Sequence, residues 1–229
     1  KKMYQKYFKE VMSTEPLSRK LGKTDFRLLQ EIYSQNEESR HIAQMADKLH
    51  PWAAFIFAGS TFPKGYSSET GADMLLTNAA VGINKPCGSL ESLDDVTAIF
   101  KAQPEETMLN FLKASIKTNK EETEDIKKLH QAYSDGRFEE LIPLLEETEQ
   151  RTLKLVDTKY AKAMSDWLKN DLLIRRNLAW LPEIRKQSAK QSTLFAVGIA
   201  HLPSEKGLIE LLRQEGYQVT PEPKVLIWQ

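Results

Sequence analysis

Residues 194–202 read Leu194-Phe195-Ala196-Val197-Gly198-Ile199-Ala200-His201-Leu202, and the fold class turns on them. Four apolar, β-compatible residues run into a glycine, as a short buried strand does at its end. Downstream, Ser204–Glu215 predicts an amphipathic helix, with Leu208, Leu211 and Leu212 at i, i+3, i+4 and Gly216 as its stop. Tyr217–Thr220 and Val225–Trp228 predict two further strands. Strand, loop, helix, strand, strand is an α/β pattern. The expected fold is therefore α/β (α+β) and helix-rich, with a small central sheet and a large helical insertion. A sheet with so few strands for so many helices points to sequence that precedes this chain.

Upstream, residues 1–50 read as helices. Asp25 is placed to cap a segment in which Phe26, Leu29, Ile32 and Tyr33 recur at helical spacing. Gly59–Gly71 is rich in breakers and reads as an exposed loop, suited to a mobile flap or a family-specific insert. Ala72–Val81 predicts a short buried helix. A short strand then runs through Lys85-Pro86-Cys87-Gly88-Ser89-Leu90 into Glu91, and Ser92 with Asp95 forms a capping box for the next helix. From Leu93 to Arg185 nearly everything is helical, so residues 93–190 form the insertion within a single domain spanning 1–229. The dense charges between Lys113 and Lys128 read as solvated helix faces.

Composition excludes more than it assigns. Lys plus Arg and Asp plus Glu number 32 each among 229 residues, so the net charge is zero. Phosphate affinity needs surplus Lys and Arg, which excludes a general nucleic-acid binder. The chain is 41% hydrophobic and can bury a core. Cys87 is the single cysteine, so neither an internal disulfide nor a CxxC pair exists. No apolar run approaches the roughly 20 residues a membrane span requires. Lys1 and Lys2 precede the first methionine, Met3, which reads as a trimmed edge behind which a leader could lie.

Two positions carry candidate chemistry. His201 follows a strand end and precedes a helix, the address at which open α/β sheets bind ligands. A helix N-terminus favours neutral imidazole, the form that binds metals. The plainer alternative is a loop histidine bonded to the backbone. Glu91 has the same address, and a carboxylate and an imidazole on one sheet rim can share a divalent metal or act as base and acid. Alternatively, Glu91 serves only the dipole of the helix that follows. In the insertion, Leu173, Asn177, Trp180 and Ile184 share an apolar stripe, which buries the Asn177 amide and obliges it to find partners. It can orient a catalytic loop or simply tie two helices together. Pro182 should kink that helix or begin a new one. His41, His50 and His130 form no HExxH pair, and nucleotide-binding, GxSxG and kinase signatures are absent.

These pieces together resemble one family. Leu194–Leu202 looks like the "aVGaaHL" block of the TraB/PrgY/GumN family, which includes the Tiki proteins. Gly207-Leu208, Leu211-Leu212 and Gly216-Tyr217-Gln218-Val219 match its continuation, "GllxLLrxxGYxV". Lys85-Pro86 with Leu90-Glu91-Ser92 resembles "gKPvxxLEt", Gly71-Ala72-Asp73 resembles "GxD", and Arg176-Asn177 resembles "RN". The blocks occur in family order over about residues 51–229.

The resemblance implies an erythromycin-esterase/ChaN/Tiki-like fold and metal-dependent hydrolysis of a peptide or protein substrate. It further implies an exported, periplasmic or membrane-associated bacterial protein. Carried over by position, His201 and Glu91 would bind a divalent metal ion, Glu91 and His201 would be catalytic, and Arg176 and Asn177 would support the site. Gly198–His201 is the sole GxxH here, where the family carries two, so the chain is expected to be N-terminally incomplete. The alternative function is a non-catalytic peptide- or partner-binding protein on the same fold.

Overall fold

Helical periodicity prevails over β-propensity nearly everywhere in this chain. In the computed structural model, which describes residues 2–221, 70% of the described residues are helical and 1% are strand, with no sheet among them. The expected α/β architecture is thus corrected to a helix-rich, all-α one. A strand is not a local structure, because its backbone groups need a neighbouring strand to bond. Residues 193–197, expected as a strand, carry no regular secondary structure, and no ladder joins them to another segment. The same holds for Lys85–Ser89 and Tyr217–Thr220, while the strand expected at Val225–Trp228 lies outside the described residues. A single isolated bridge, Met12 to Leu49, is the only strand-like pairing among the described residues.

Two compact units result, one up to Asp166 and one from Trp167 onward. The first contains α1 (Lys2–Val11), α2 (Leu17–Leu21), α3 (Lys23–Ser34), α4 (Arg40–Met45), α5 (Pro51–Gly59), α6 (Ala72–Gly82), α7 (Leu93–Lys101), α8 (Glu105–Ser134), α9 (Leu141–Leu153) and α10 (Thr158–Asp166). Its core is built from one face of each of several helices. Leu17 and Leu21 of α2, Leu29, Ile32 and Tyr33 of α3, and Leu112 and Ile116 of α8 close around Ala54 and Ala58 of α5. Each buried leucine contributes about 2 kcal/mol. Pro51 opens α5 at a position where its missing N–H costs nothing. The Tyr33 hydroxyl donates to the Ala54 carbonyl (2.8 Å), and burial pushes its ionisation far up. Asp25 sits in the first turn of α3 rather than capping it, since that helix begins two residues earlier.

The loop after α5 is tethered rather than free. Asn36 Nδ2 donates to the Tyr66 carbonyl (2.9 Å), and Glu38 accepts from both Ser67 and Ser68 hydroxyls. The helix that follows it forms as expected but is not buried. In α6, Leu75 is 57% exposed and Val81 61%. The capping box of α7 is present in full: the Ser92 hydroxyl accepts the Asp95 N–H (3.1 Å), and the Asp95 carboxylate accepts the Ser92 N–H (3.0 Å).

Within the charge-dense α8, two acids turn inward against α9. Asp125 is buried; its Oδ2 accepts from Arg151 Nη1 (2.7 Å) and Thr148 Oγ1 (3.0 Å). Glu122 Oε1 accepts from Thr118 and Thr152 hydroxyls. So the solvated-face expectation fails at these two positions.

The second unit opens with a π-helical stretch, Trp167–Ile174, continuing into α11 (Arg175–Ser188). Wide turns of this kind are rare and re-aim the side chains that follow. Pro182 neither ends nor restarts α11; it lies within the helix, where Pro182 and Leu178, to whose carbonyl it offers no N–H, are both exposed. After the irregular residues 193–197 come a 3₁₀ turn, Ile199–His201, and α12 (Leu208–Gln214). Gly216, at φ +88°, closes α12: its N–H donates to the Arg213 carbonyl (2.9 Å) and the Tyr217 N–H to the Leu212 carbonyl (3.0 Å). That double bond pattern is the helix stop foreseen from the sequence.

Candidate active site around His201

The GxxH stretch forms a tight turn, with the His201 N–H donating to the Gly198 carbonyl (2.9 Å). The turn folds the imidazole inward, and His201 is buried. It is not at a helix N-terminus, because α12 begins only at Leu208. The helix-dipole account of its charge state therefore does not apply; side chains of α11 surround it instead.

Asn177 is the principal partner. Its Oδ1 lies 2.7 Å from His201 Nδ1, and its Nδ2 donates to the carbonyls of His201 (3.2 Å) and Lys206 (2.9 Å). The buried amide on the apolar stripe thus does find its partners, in the loop that carries the histidine. One turn of helix on, Trp180 packs against the imidazole, its ring tilted by 43° at 4.5 Å between ring centres. Arg176 reaches the other side: Nη1 donates to the Leu172 carbonyl (3.0 Å) and lies 3.4 Å from His201 Nε2, with the guanidinium carbon 5.0 Å from the Trp180 ring centre. The structure therefore gathers three of the four predicted residues, Arg176, Asn177 and His201.

Glu91 belongs to the first unit, whereas the other three belong to the second. It is half-buried in the first unit, at a bend just before the Ser92 cap of α7. The sheet rim expected to carry both it and His201 is absent among the described residues.

Two residues of the cluster carry no site role in the sequence reading. Trp180 was visible as a stripe residue, three positions after Asn177, yet its aromatic contact with the imidazole had no sequence signal. Gly207 is the other. A Cβ built on it would fall 1.9 Å from the Pro203 carbonyl oxygen and 2.3 Å from that of Leu202. Only glycine allows the loop to close there.

Among the described residues, no three His, Cys, Asp or Glu side chains stand together as a metal cage, and no helix is long and apolar enough to cross a membrane. Over residues 1–221 the sequence matches the TraB/PrgY/gumN family. The chain belongs to that family. The match takes in residues 1–50, upstream of the recognisable blocks, and ends just past the Gly216-Tyr217-Gln218-Val219 block of this TraB/PrgY/gumN chain. No curated protein and no solved structure matches it.

Proposed function

We propose that this TraB/PrgY/gumN chain serves a metal-dependent hydrolase of the Tiki type, acting on peptide bonds, with His201 and Glu91 as metal ligands. The observation that carries the proposal is the clamped imidazole of the GxxH turn. Metal-bound histidines characteristically have their second ring nitrogen held by a carbonyl or carboxylate, and Asn177 Oδ1 occupies that position at Nδ1. As a single ligand, His201 fits. The Arg176 guanidinium rests against the same Nε2 and would have to withdraw from it. Among the described residues no three His, Cys, Asp or Glu side chains stand together, so His201 supplies part of a coordination shell.

A bound divalent ion would supply Lewis acidity and a water of lowered pKa. The remaining work falls to the chain's own groups. Asn177 holds the ring and its loop, Trp180 shields one ring face from water, and Arg176 can withdraw to stabilise negative charge that develops on a carbonyl oxygen. Glu91 would act as a ligand or as the base that takes a proton on its carboxylate.

The test is hydrolysis of a peptide library by the full protein, with and without added Zn²⁺, Mn²⁺ or Co²⁺. His201→Ala is expected to lower metal-stimulated kcat/KM by at least about 100-fold. Equal activity in both proteins would remove the assignment. The absence of metal-stimulated cleavage in wild type would favour a non-catalytic, peptide- or partner-binding protein instead.

A further inference from the structure

The hydrogen bonds around His201 decide which of its nitrogens can react. Asn177 Nδ2 has two protons, and two backbone carbonyls, those of His201 and Lys206, take them. The amide orientation is therefore fixed, with its oxygen facing Nδ1 at 2.7 Å. A carbonyl oxygen only accepts, so Nδ1 must carry the proton. Arg176 gives the same answer from the opposite side. A guanidinium only donates, so the nitrogen it approaches, Nε2, must carry the lone pair.

The acceptor at Lys206 exists because the loop returns to Asn177. That return passes through Gly207, whose N–H donates to the Ser204 carbonyl (3.0 Å), while the Ile209 N–H donates to the Leu202 carbonyl (3.3 Å). A side chain at 207 would collide with the Pro203 carbonyl at 1.9 Å and push the chain outward. Asn177 would then lose an acceptor, and its amide would be free to turn.

We propose that Asn177 and Gly207 are positioning residues which hold His201 as the Nδ1–H tautomer and make Nε2 its single reactive nitrogen. This rests on the hydrolase proposal for its purpose, but its geometry can be tested without activity. Free histidine side chains favour the opposite, Nε2–H form, so the protein must impose this one.

The experiment is a long-range ¹H–¹⁵N spectrum of the full chain with labelled histidine, near pH 8, with His201→Gln identifying the resonances. Wild type is expected to show a protonated Nδ1 and an unprotonated Nε2 at His201. Asn177→Ala and Gly207→Ala should each move those shifts toward the Nε2–H form, with helical circular dichroism monitored alongside. Asn177→Ala should also lower metal-stimulated kcat/KM by about 10–100-fold.

A wild-type Nε2–H tautomer would overturn the inference. So would an Nδ1–H pattern that survives Asn177→Ala. If Gly207→Ala fails to fold, Asn177→Ala alone decides the role of the amide, and faster exchange of the Ile209 amide in that variant reports the release of the loop. The expected spectra without peptide cleavage would retain the positioning and discard the hydrolase. Cleavage by a chain whose His201 is Nε2–H would do the reverse.

Discussion

Asp125 and His201 are both buried polar residues, and their surroundings differ in kind. Asp125 spends its charge on its neighbours: Arg151 and Thr148 bond one oxygen, and Lys128 lies 3.4 Å from the other. All these partners sit on α8 and α9, at spacings that helix packing produces unaided. Around His201 stand a neutral amide, which meets both its ring and its carbonyl, a tryptophan ring and the Arg176 guanidinium, 3.4 Å from Nε2. Its Nε2 keeps a lone pair. Buried polarity alone therefore does not mark a site. A titratable group held in one orientation with an atom left chemically competent is the better mark.

Exchanging the two chemistries is the strongest way to break this comparison. Asn177→Asp keeps the shape but removes both donors and sets an anion against the His201 and Lys206 carbonyls. The expected cost to the second unit is about 3 kcal/mol, since two buried acceptors lose their bonds and a charge is left poorly solvated. Hydrogen exchange at the Gly207 and Ile209 amides should accelerate roughly 100-fold near pH 8. Unchanged protection would mean that Asn177 is not the donor holding this loop.

The reverse exchange, Asp125→Asn, should cost less, about 1–2 kcal/mol at pH 7 in the first unit, because Arg151 keeps Glu147 as a second acceptor. Its pH dependence has a definite sign. Burial pushes the Asp125 carboxyl up, but the Arg151 and Thr148 bonds outweigh it and leave the group below its ordinary range. The stability drawn from that charge is complete above the unfolded carboxylate pKa, near 4, and is lost as pH falls through the lowered folded value. Urea unfolding should thus show a constant gap between wild type and variant from pH 7 to about pH 5, closing below about pH 4. Glu122 works in the opposite direction, because burial raises its carboxyl despite the Thr118 and Thr152 hydroxyls. A gap that widened with acid would show Asp125 to be the protonated partner of the two.

The sequence exposed these regions unevenly. Asn177 was legible because helical spacing put an amide on an apolar stripe, and a buried amide must bond something. The Gly216 stop and the Ser92 capping box were legible because caps are local chemistry. The sheet was misjudged for the converse reason: Leu194–Val197 has strand composition, but pairing is decided by distant residues. Burial was misjudged at Ala72–Val81, where apolar composition implied a core position and the helix stands exposed. Glu122 and Asp125 were hidden in a run of charges, since nothing in a single helix tells which charged face meets α9. Gly207 carried no signal beyond the family block, because its necessity comes from a carbonyl four residues back in the chain.

Lys128 provides the finest test of the comparison. It contacts Asp125 at 3.4 Å, yet its own side chain is 60% exposed, so water competes for the ammonium throughout. An exposed cation at that distance gains little from the pair and gives up rotamer freedom to hold it. If Asp125 is secured by Arg151 and Thr148, Lys128→Met should change stability by less than about 0.5 kcal/mol, and raising salt should not alter the difference measurably. A larger, salt-sensitive loss would mean that the seam depends on a solvent-facing charge. Asp125 would then be a surface-linked ion pair, and its contrast with the enclosed, amide-centred hold on His201 would be one of exposure rather than of chemistry.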